Sequence, residues 1–332
     1  MEKGETAVRI KHREKKQQAD FSGDRQLTFW QKVKRDRFLL LLLLPGFLSL
    51  LIFRYLPMFG VVIAFQDFSP WKGFFDSKWV GMAQFEKLWS SPDFWRIFWN
   101  TVILSVQTFL VTFPVPILFA LVLNEAKGLF LKKATQTITY LPHFINLVII
   151  AGMVKIFTSP STGFISQGIG KIMGTAAPYI MADPNSFRPV YVLTMTWVGF
   201  GWGTIIYLSA LAGVDTQLYE AATIDGAGRL RRIWHITCPA LLPTIVITLI
   251  MSMGSIINGV SFDLAYLLQN DINTSVSEVL STFVYKRGIM GVRARPDFSY
   301  TTAVNLFQSV IGTVMLVGAN FISRRTTERS LW

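Results

Sequence analysis

Six long apolar runs alternate with polar stretches along the chain, at about 38–56, 101–123, 137–157, 190–212, 240–268 and 301–322. A helix over the first of them would be about 28 Å long at 1.5 Å per residue, close to the hydrocarbon thickness of a bilayer. The pattern predicts an all-α membrane protein with six transmembrane helices. The second run holds Pro114 and Pro116, which free backbone carbonyls and predict a kinked helix buried among others. The fourth carries Gly199, Gly201 and Gly203 beside Trp197 and Trp202, small residues that permit close helix contact. The fifth is long enough to tilt or break. His143 falls early in the third run, where a structural role is expected of it.

The stretch between the fourth and fifth runs, EAATIDGAGRLRRIWHITCP from Glu220 to Pro239, is polar, basic and helix-forming. Glu220, Ala221 and Ala222 favour helix. Gly226 and Gly228 break or re-aim it, and an amphipathic turn from Leu230 to Ile236 is expected to stop at Pro239. The prediction is two short helices joined by a glycine elbow. Such a pair can lie on the lipid interface, cap its own bundle, or dock into another protein.

Composition agrees with the apolar pattern: 51% of the 332 residues are apolar and 16% charged, on the membrane side of the soluble average. The net charge of +12 does not point to nucleic acid, because the basic residues flank apolar runs. Twenty of the 32 Lys and Arg fall on 1–37, 124–136, the stretch before Pro239 and the C-terminus. By the positive-inside rule these segments, and both termini, are expected in the cytoplasm. The first 37 residues lack an apolar period and read as a disordered or surface-lying tail, without the cleavage site of a removable signal. Trp71, Trp79, Trp89, Trp95 and Trp99 mark 66–99 as an external loop with an aromatic belt. Residues 158–189 and 269–300 read as the other external segments. The single cysteine, Cys238, excludes an intramolecular disulfide and a CxxC site. No HExxH, nucleophile elbow or phosphate loop is present, so no cofactor or metal is expected on this chain.

The spacing in the polar stretch carries a resemblance. Glu220-Ala221-Ala222, three residues, Gly226, nine residues, Ile236 and Pro239 resemble the EAA loop of the permease subunits of ABC importers, with Cys238 in place of the usual leucine. Asp225, Ala227 and Trp234 are similar to the carbohydrate branch of that family. So are 45–68, 100–105, 140–144 and 262–268, which extend the likeness over nearly all of the chain after residue 37. The resemblance implies a coupling helix seated in a cytoplasmic ATPase, with ATP and Mg on the ATPase. It further implies a heterodimer with a second permease subunit, two ATPase subunits, an extracytoplasmic solute-binding protein and an oligosaccharide substrate, possible cargoes including acidic alginate or pectin fragments. The expected organisation is a tail at 1–37, a permease domain at 38–325 with the coupling loop at 214–239, and a second tail at 326–332.

A passage for sugar needs polar side chains facing inward. Ser252, Ser255, Asn258, Gly259, Phe262, Tyr266 and Gln269 recur at three- and four-residue steps on the fifth run, as do Asn305, Gln308, Ser309 and Gly312 on the sixth. Ser255, Asn258, Tyr266, Asn305 and Gln308 are the expected lining, with interhelical hydrogen bonding as the competing role for each. Other readings are an ABC permease for a non-sugar solute, a secondary transporter, which would use intramembrane carboxylates or repeated halves, and an intramembrane enzyme. Asp263 is the one acidic residue expected within a run, and neither a repeat nor a nucleophile–base pair is visible.

Overall fold

The computed structural model describes residues 28–126, 128–291 and 296–327. The expected tails fall largely outside that range, at 1–27 and 328–332. The chain divides into two compact units, Met1–Val61 and Val62–Trp332.

In the first unit a short helix, α1 (Phe29–Arg35), precedes α2 (Arg37–Leu50). None of α2 is buried, although it is apolar all round. Such a helix needs lipid as its solvent. Beyond Leu50 the chain passes through a π turn, Leu51–Tyr55, and reaches Phe65 as a 29-residue apolar segment, longer than the expected 38–56. Pro57 follows that π turn, in which the Leu56 N–H reaches back to the Leu51 carbonyl.

The second unit opens with a two-residue hairpin, β1 (Gln66–Asp67) against β2 (Lys78–Trp79), and α3 (Ala83–Trp89). The second span starts earlier than expected, because Ser91 caps α4 (Pro92–Thr112), with Pro92 in the first turn, where its missing N–H costs nothing. The Phe113 N–H still donates to the Phe109 carbonyl, but Pro114 and Pro116 have no N–H to donate, and the helix re-forms as α5 (Pro114–Glu125). Pro116 and Ala120 are buried, while Leu118 and Val122 on the other side are exposed, so this span is half-buried.

The third run is not one straight helix. α6 (Leu129–Tyr140) and the turn Leu141–Phe144 meet α7 (Leu147–Phe157) at a 98° bend. Pro142 disfavours continuation, Ile145 is extended, and the Asn146 side chain accepts from the Val148 N–H at 2.8 Å to start a new helix. Much of the expected 124–136 loop is therefore helical. The segment expected as a loop at 158–189 likewise contains α8 (Phe164–Met173), closed by Gly174 in the left-handed region.

A 29-residue helix, α9 (Pro184–Ala212), runs through the core and starts before the expected residue 190. Asp183 caps it; the Asn185 N–H and the Ser186 hydroxyl hold that carboxyl below the usual carboxylate range. Phe187, Tyr191 and Val192 on α9 pack with Leu104 of α4 and Ala151 of α7. Further along, Tyr207 and Leu211 pack with Ala120 of α5 and Leu241. At Gly201 a Cβ would lie 2.1 Å from the Thr139 carbonyl oxygen, so glycine alone lets α6 and α9 cross there. His143 stacks on Trp202 at 4.6 Å with the planes 4° apart, a packing role as expected.

After α9 come α10 (Thr216–Ile224), α11 (Arg229–Arg232), a π turn at Ile233–Thr237, and α12 (Cys238–Ser255). Pro239 was expected to stop the helix and does not. The π turn lets the Cys238 N–H reach the Ile233 carbonyl, five residues back, and the chain continues as one 27-residue apolar segment, Arg229–Ser255. The arrangement before Pro239 repeats that before Pro57. The run to residue 268 is broken after Ser255 and resumes as α13 (Phe262–Leu268), followed by α14 (Leu280–Tyr285) and the last span, α15 (Phe298–Thr327). Five helices among the described residues are long and apolar enough to cross a membrane, or six if the bent α6–α7 pair is one span.

Candidate functional site

The polar stretch forms the predicted helix–glycine–helix. Asp215 starts α10 by accepting from the Gln217 N–H at 2.9 Å. The end is a Schellman motif: the Ala227 N–H donates to the Ala222 carbonyl at 2.8 Å and the Gly226 N–H to the Thr223 carbonyl at 3.1 Å. Gly226 occupies the left-handed position with φ +74°, and no atom lies within 4 Å of where its Cβ would be. The glycine of the spacing is thus required by backbone conformation and not by crowding. Glu220, Ala221 and Asp225 are exposed, and Trp234 is 70% exposed. Ala222, Asp225, Ala227 and Ile236 line one concavity of about 300 Å³ beside α11. Pro239 sits at the foot of α12, where the Tyr219 hydroxyl of α10 meets that of Thr237 at 3.1 Å.

The expected lining residues separate. Ser255 borders a cavity of about 170 Å³ together with Ser252 and Gly259. Gln308 is buried, and its Nε2 donates at 3.1 Å to the Ile257 carbonyl, freed where α12 breaks. Asn258 and Asn305 are exposed. Tyr266 stacks on Phe262 at 5.3 Å and meets Tyr285 edge-on, with its hydroxyl 3.8 Å from the Met290 sulfur. A single face from 252 to 269 is not formed, because the helix breaks between Ser255 and Phe262. Asp263 lies beyond that break and is exposed.

Across the cavity stand residues not expected from the sequence, Ser105, Thr108 and Thr112 of α4. Thr112 returns its hydroxyl to the Thr108 carbonyl, while the hydroxyls of Ser105 and Thr108 are buried without a protein partner among the described residues. Buried polar atoms without partners are costly, which singles out these two hydroxyls beside the cavity. The three- and four-residue spacing of Ser105, Thr108 and Thr112 in an apolar run was the available signal.

At the end of α9 remote from the coupling loop, about 40 Å from it for a helix of 29 residues, a polar cluster gathers. Asn100 accepts from Arg188 at 3.0 Å and donates to the Ser275 carbonyl at 2.8 Å. Glu278 pairs with Arg96 at 3.1 Å and Lys286 at 3.8 Å. Two cations thus flank the Glu278 carboxylate, and a third, Arg188, is held on Asn100 beside them.

Apolar spans, a capped helix–glycine–helix between the fourth and fifth of them, and a hydroxyl-lined cavity in the core define a membrane permease subunit. Residues 98–328 match the family described as binding-protein-dependent transport system inner membrane component, and the chain belongs to it. Among its relatives, Protein LplB of Bacillus subtilis (strain 168) is 42% identical over 92% of this chain and 94% of its own length. The polygalacturonan/rhamnogalacturonan transport system permease protein YteP of the same strain is 38% identical over 94% and 95%. The crystal structure of a bacterial ABC transporter involved in import of the acidic polysaccharide alginate contains a chain 38% identical to this one. It superposes with a TM-score of 0.80 and covers 90% of this chain and 99% of that one. A chain of a bacterial alginate ABC transporter in complex with an alginate pentasaccharide-bound periplasmic protein gives 0.81. The fold is therefore that of an ABC permease, an integral protein of the inner membrane whose EAA loop lies between the fourth and fifth spans.

Proposed function

We propose that this chain is the permease subunit of an ATP-driven importer that passes an acidic oligosaccharide from an extracytoplasmic binding protein into the cytoplasm. The observation that carries the reading is the family match together with the coupling loop in its folded form, Asp215-capped and closed by Gly226. The uronic-acid cargo is supported by the names of the relatives at 38% identity and by the cations around Glu278 at the end of α9 remote from that loop.

The chain acts in a heteromer. α10 docks on an ATPase pair that holds ATP and Mg, and a second permease subunit completes the passage. A cavity of about 170 Å³ has room for about five waters, too few for a sugar chain, as expected of half a passage. Ser105, Thr108 and Ser255 border it, Asn258 and Asn305 offer amides to a solute once it opens, and Tyr266 offers a ring face. Gln308 supports the broken helix. The concentration of Lys and Arg supports a cytoplasmic side for the coupling loop and both termini.

The test is ATP hydrolysis by the complex reconstituted with its binding protein, against neutral and uronic-acid oligosaccharides. Stimulation by oligogalacturonate or oligomannuronate supports the reading. Stimulation only by neutral sugars would remove the acidic cargo, and none by any sugar, with the ATPase still bound, would remove the carbohydrate.

A further inference from the structure

Where the coupling helix meets the membrane spans, one side chain joins three elements. Arg232, at the end of α11, donates through Nη1 to the Thr223 hydroxyl of α10 at 2.8 Å and pairs through Nη2 with Glu125, the last residue of α5, at 3.5 Å. Their side chains are 21% and 17% exposed, so the attraction is screened less than in a surface pair. Beside the pair is a cleft of about 420 Å³ bordered by Asn124, Glu125, Leu211, Tyr219, Glu220 and Arg232.

That space matters mechanically. α10 is tied to the fourth span by the short link 213–215 and to the foot of the fifth by Tyr219–Thr237 and Arg232–Thr223. Toward the second span it faces the cleft, and the ion pair crosses it. A displaced α10 could swing into the cleft without moving α5 unless this bridge held. Arg232 is suited to the task, since its rigid fork reaches two acceptors at once, and its buried Nε has no partner among the described residues.

We propose that Arg232 is a positioning residue that couples the coupling helix to the second span, so that displacement of α10 is carried to α4–α5 and to the hydroxyls of Ser105 and Thr108. This rests on the reading that α10 receives motion from an ATPase. It adds that the second span, and not only the fourth and fifth to which the loop is joined by sequence, is driven through an ion pair.

The experiment uses the complete complex in liposomes, with alginate pentasaccharide and trigalacturonate as probes, and the variants Arg232→Met, Glu125→Gln and the swap Glu125→Arg/Arg232→Glu. The ATPase is expected to co-purify in all of them. ATP consumed per sugar imported should rise about fivefold or more in each single variant, the lower end of measured site-to-site couplings, and fall back toward wild type in the swap. A second measurement needs no sugar. In a Cys238→Ser background, spin labels at Val122→Cys on α5 and Leu218→Cys on α10, both exposed, report the spacing in nucleotide-free and ATP–vanadate-trapped complex. With Arg232 present the two states should share one narrow distance; with Arg232→Met they should part. A distance unchanged by Arg232→Met overturns the proposal, as does loss of the ATPase, which would make Arg232 a docking residue. Failure of the wild-type complex to respond to either probe counts against the proposed cargo, and the distance measurement still decides the role of Arg232.

Discussion

At the scale of single residues, Gly226 shows how a motif position acquires its identity. Its N–H and that of Ala227 close the end of α10 on Thr223 and Ala222, and this geometry exists only with φ in the left-handed region. A non-glycine residue there costs about 1–2 kcal/mol, with asparagine more tolerant. Nothing crowds the position, so the penalty should follow backbone preference and not size alone. Coupled uptake is therefore expected to fall in the order Gly, Asn, Ala, Val at position 226, with β-branched Val uncoupling hydrolysis or releasing the ATPase. Uptake and ATPase retention measured side by side check this. Equal activity of Gly226→Asn and Gly226→Val would show that φ is not the requirement. Gly201 is the contrasting case, since an added methyl there would meet the Thr139 carbonyl and not a backbone penalty.

At the scale of elements, the broken fifth span divides residues that share a sequence pattern into different roles. Gln308 holds the Ile257 carbonyl at the break, and removing it leaves a buried acceptor unpaired, a loss of about 1–3 kcal/mol. Gln308→Leu should lower the thermal unfolding midpoint of the complex and its uptake together. Ser255→Ala and Asn305→Ala, whose side chains are exposed within the chain, should lower uptake and leave the midpoint in place. A midpoint unmoved by Gln308→Leu would return that side chain to the passage. The same break marks what the sequence could convey. Apolar length located all six runs, and the helix-forming Glu220–Ala222 with Gly226 foretold the coupling loop, because these follow from local propensity. The run to residue 268 was long enough to break, but the groups that pair its freed backbone are remote in sequence, Gln308 on the Ile257 carbonyl and Tyr191 on the Ser261 N–H. The bend at 145–146 needed Asn146 to act as a cap, which a mostly apolar stretch concealed. The continuation through Pro239 depends on a π turn that no propensity announces. Ser105, Thr108 and Thr112 were legible as a spaced polar stripe, but only the cavity opposite Ser252 and Ser255 gives it a meaning.

At the scale of the whole molecule, the charge pattern and the ends of α9 make a joint statement about sidedness. α9 carries Arg188, beside the Arg96–Glu278–Lys286 cluster, near its start, and three residues, 213–215, separate its end at Ala212 from the coupling helix. A helix of that length crosses the bilayer once, so the two polar regions face opposite compartments. Since most Lys and Arg lie on the segments that share the coupling loop's side, the hairpin that carries Trp71 should face outward and Trp234 inward. Both side chains are exposed, at 96% and 70%, so each position can be labelled without unfolding. In a Cys238→Ser background, a membrane-impermeant maleimide should modify Trp71→Cys in right-side-out vesicles and Trp234→Cys only in inverted ones, with the latter protected when the ATPase is bound. Labelling of both from one side would contradict the crossing count. Labelling in the reverse sense would place the coupling loop away from ATP and remove the importer reading with it.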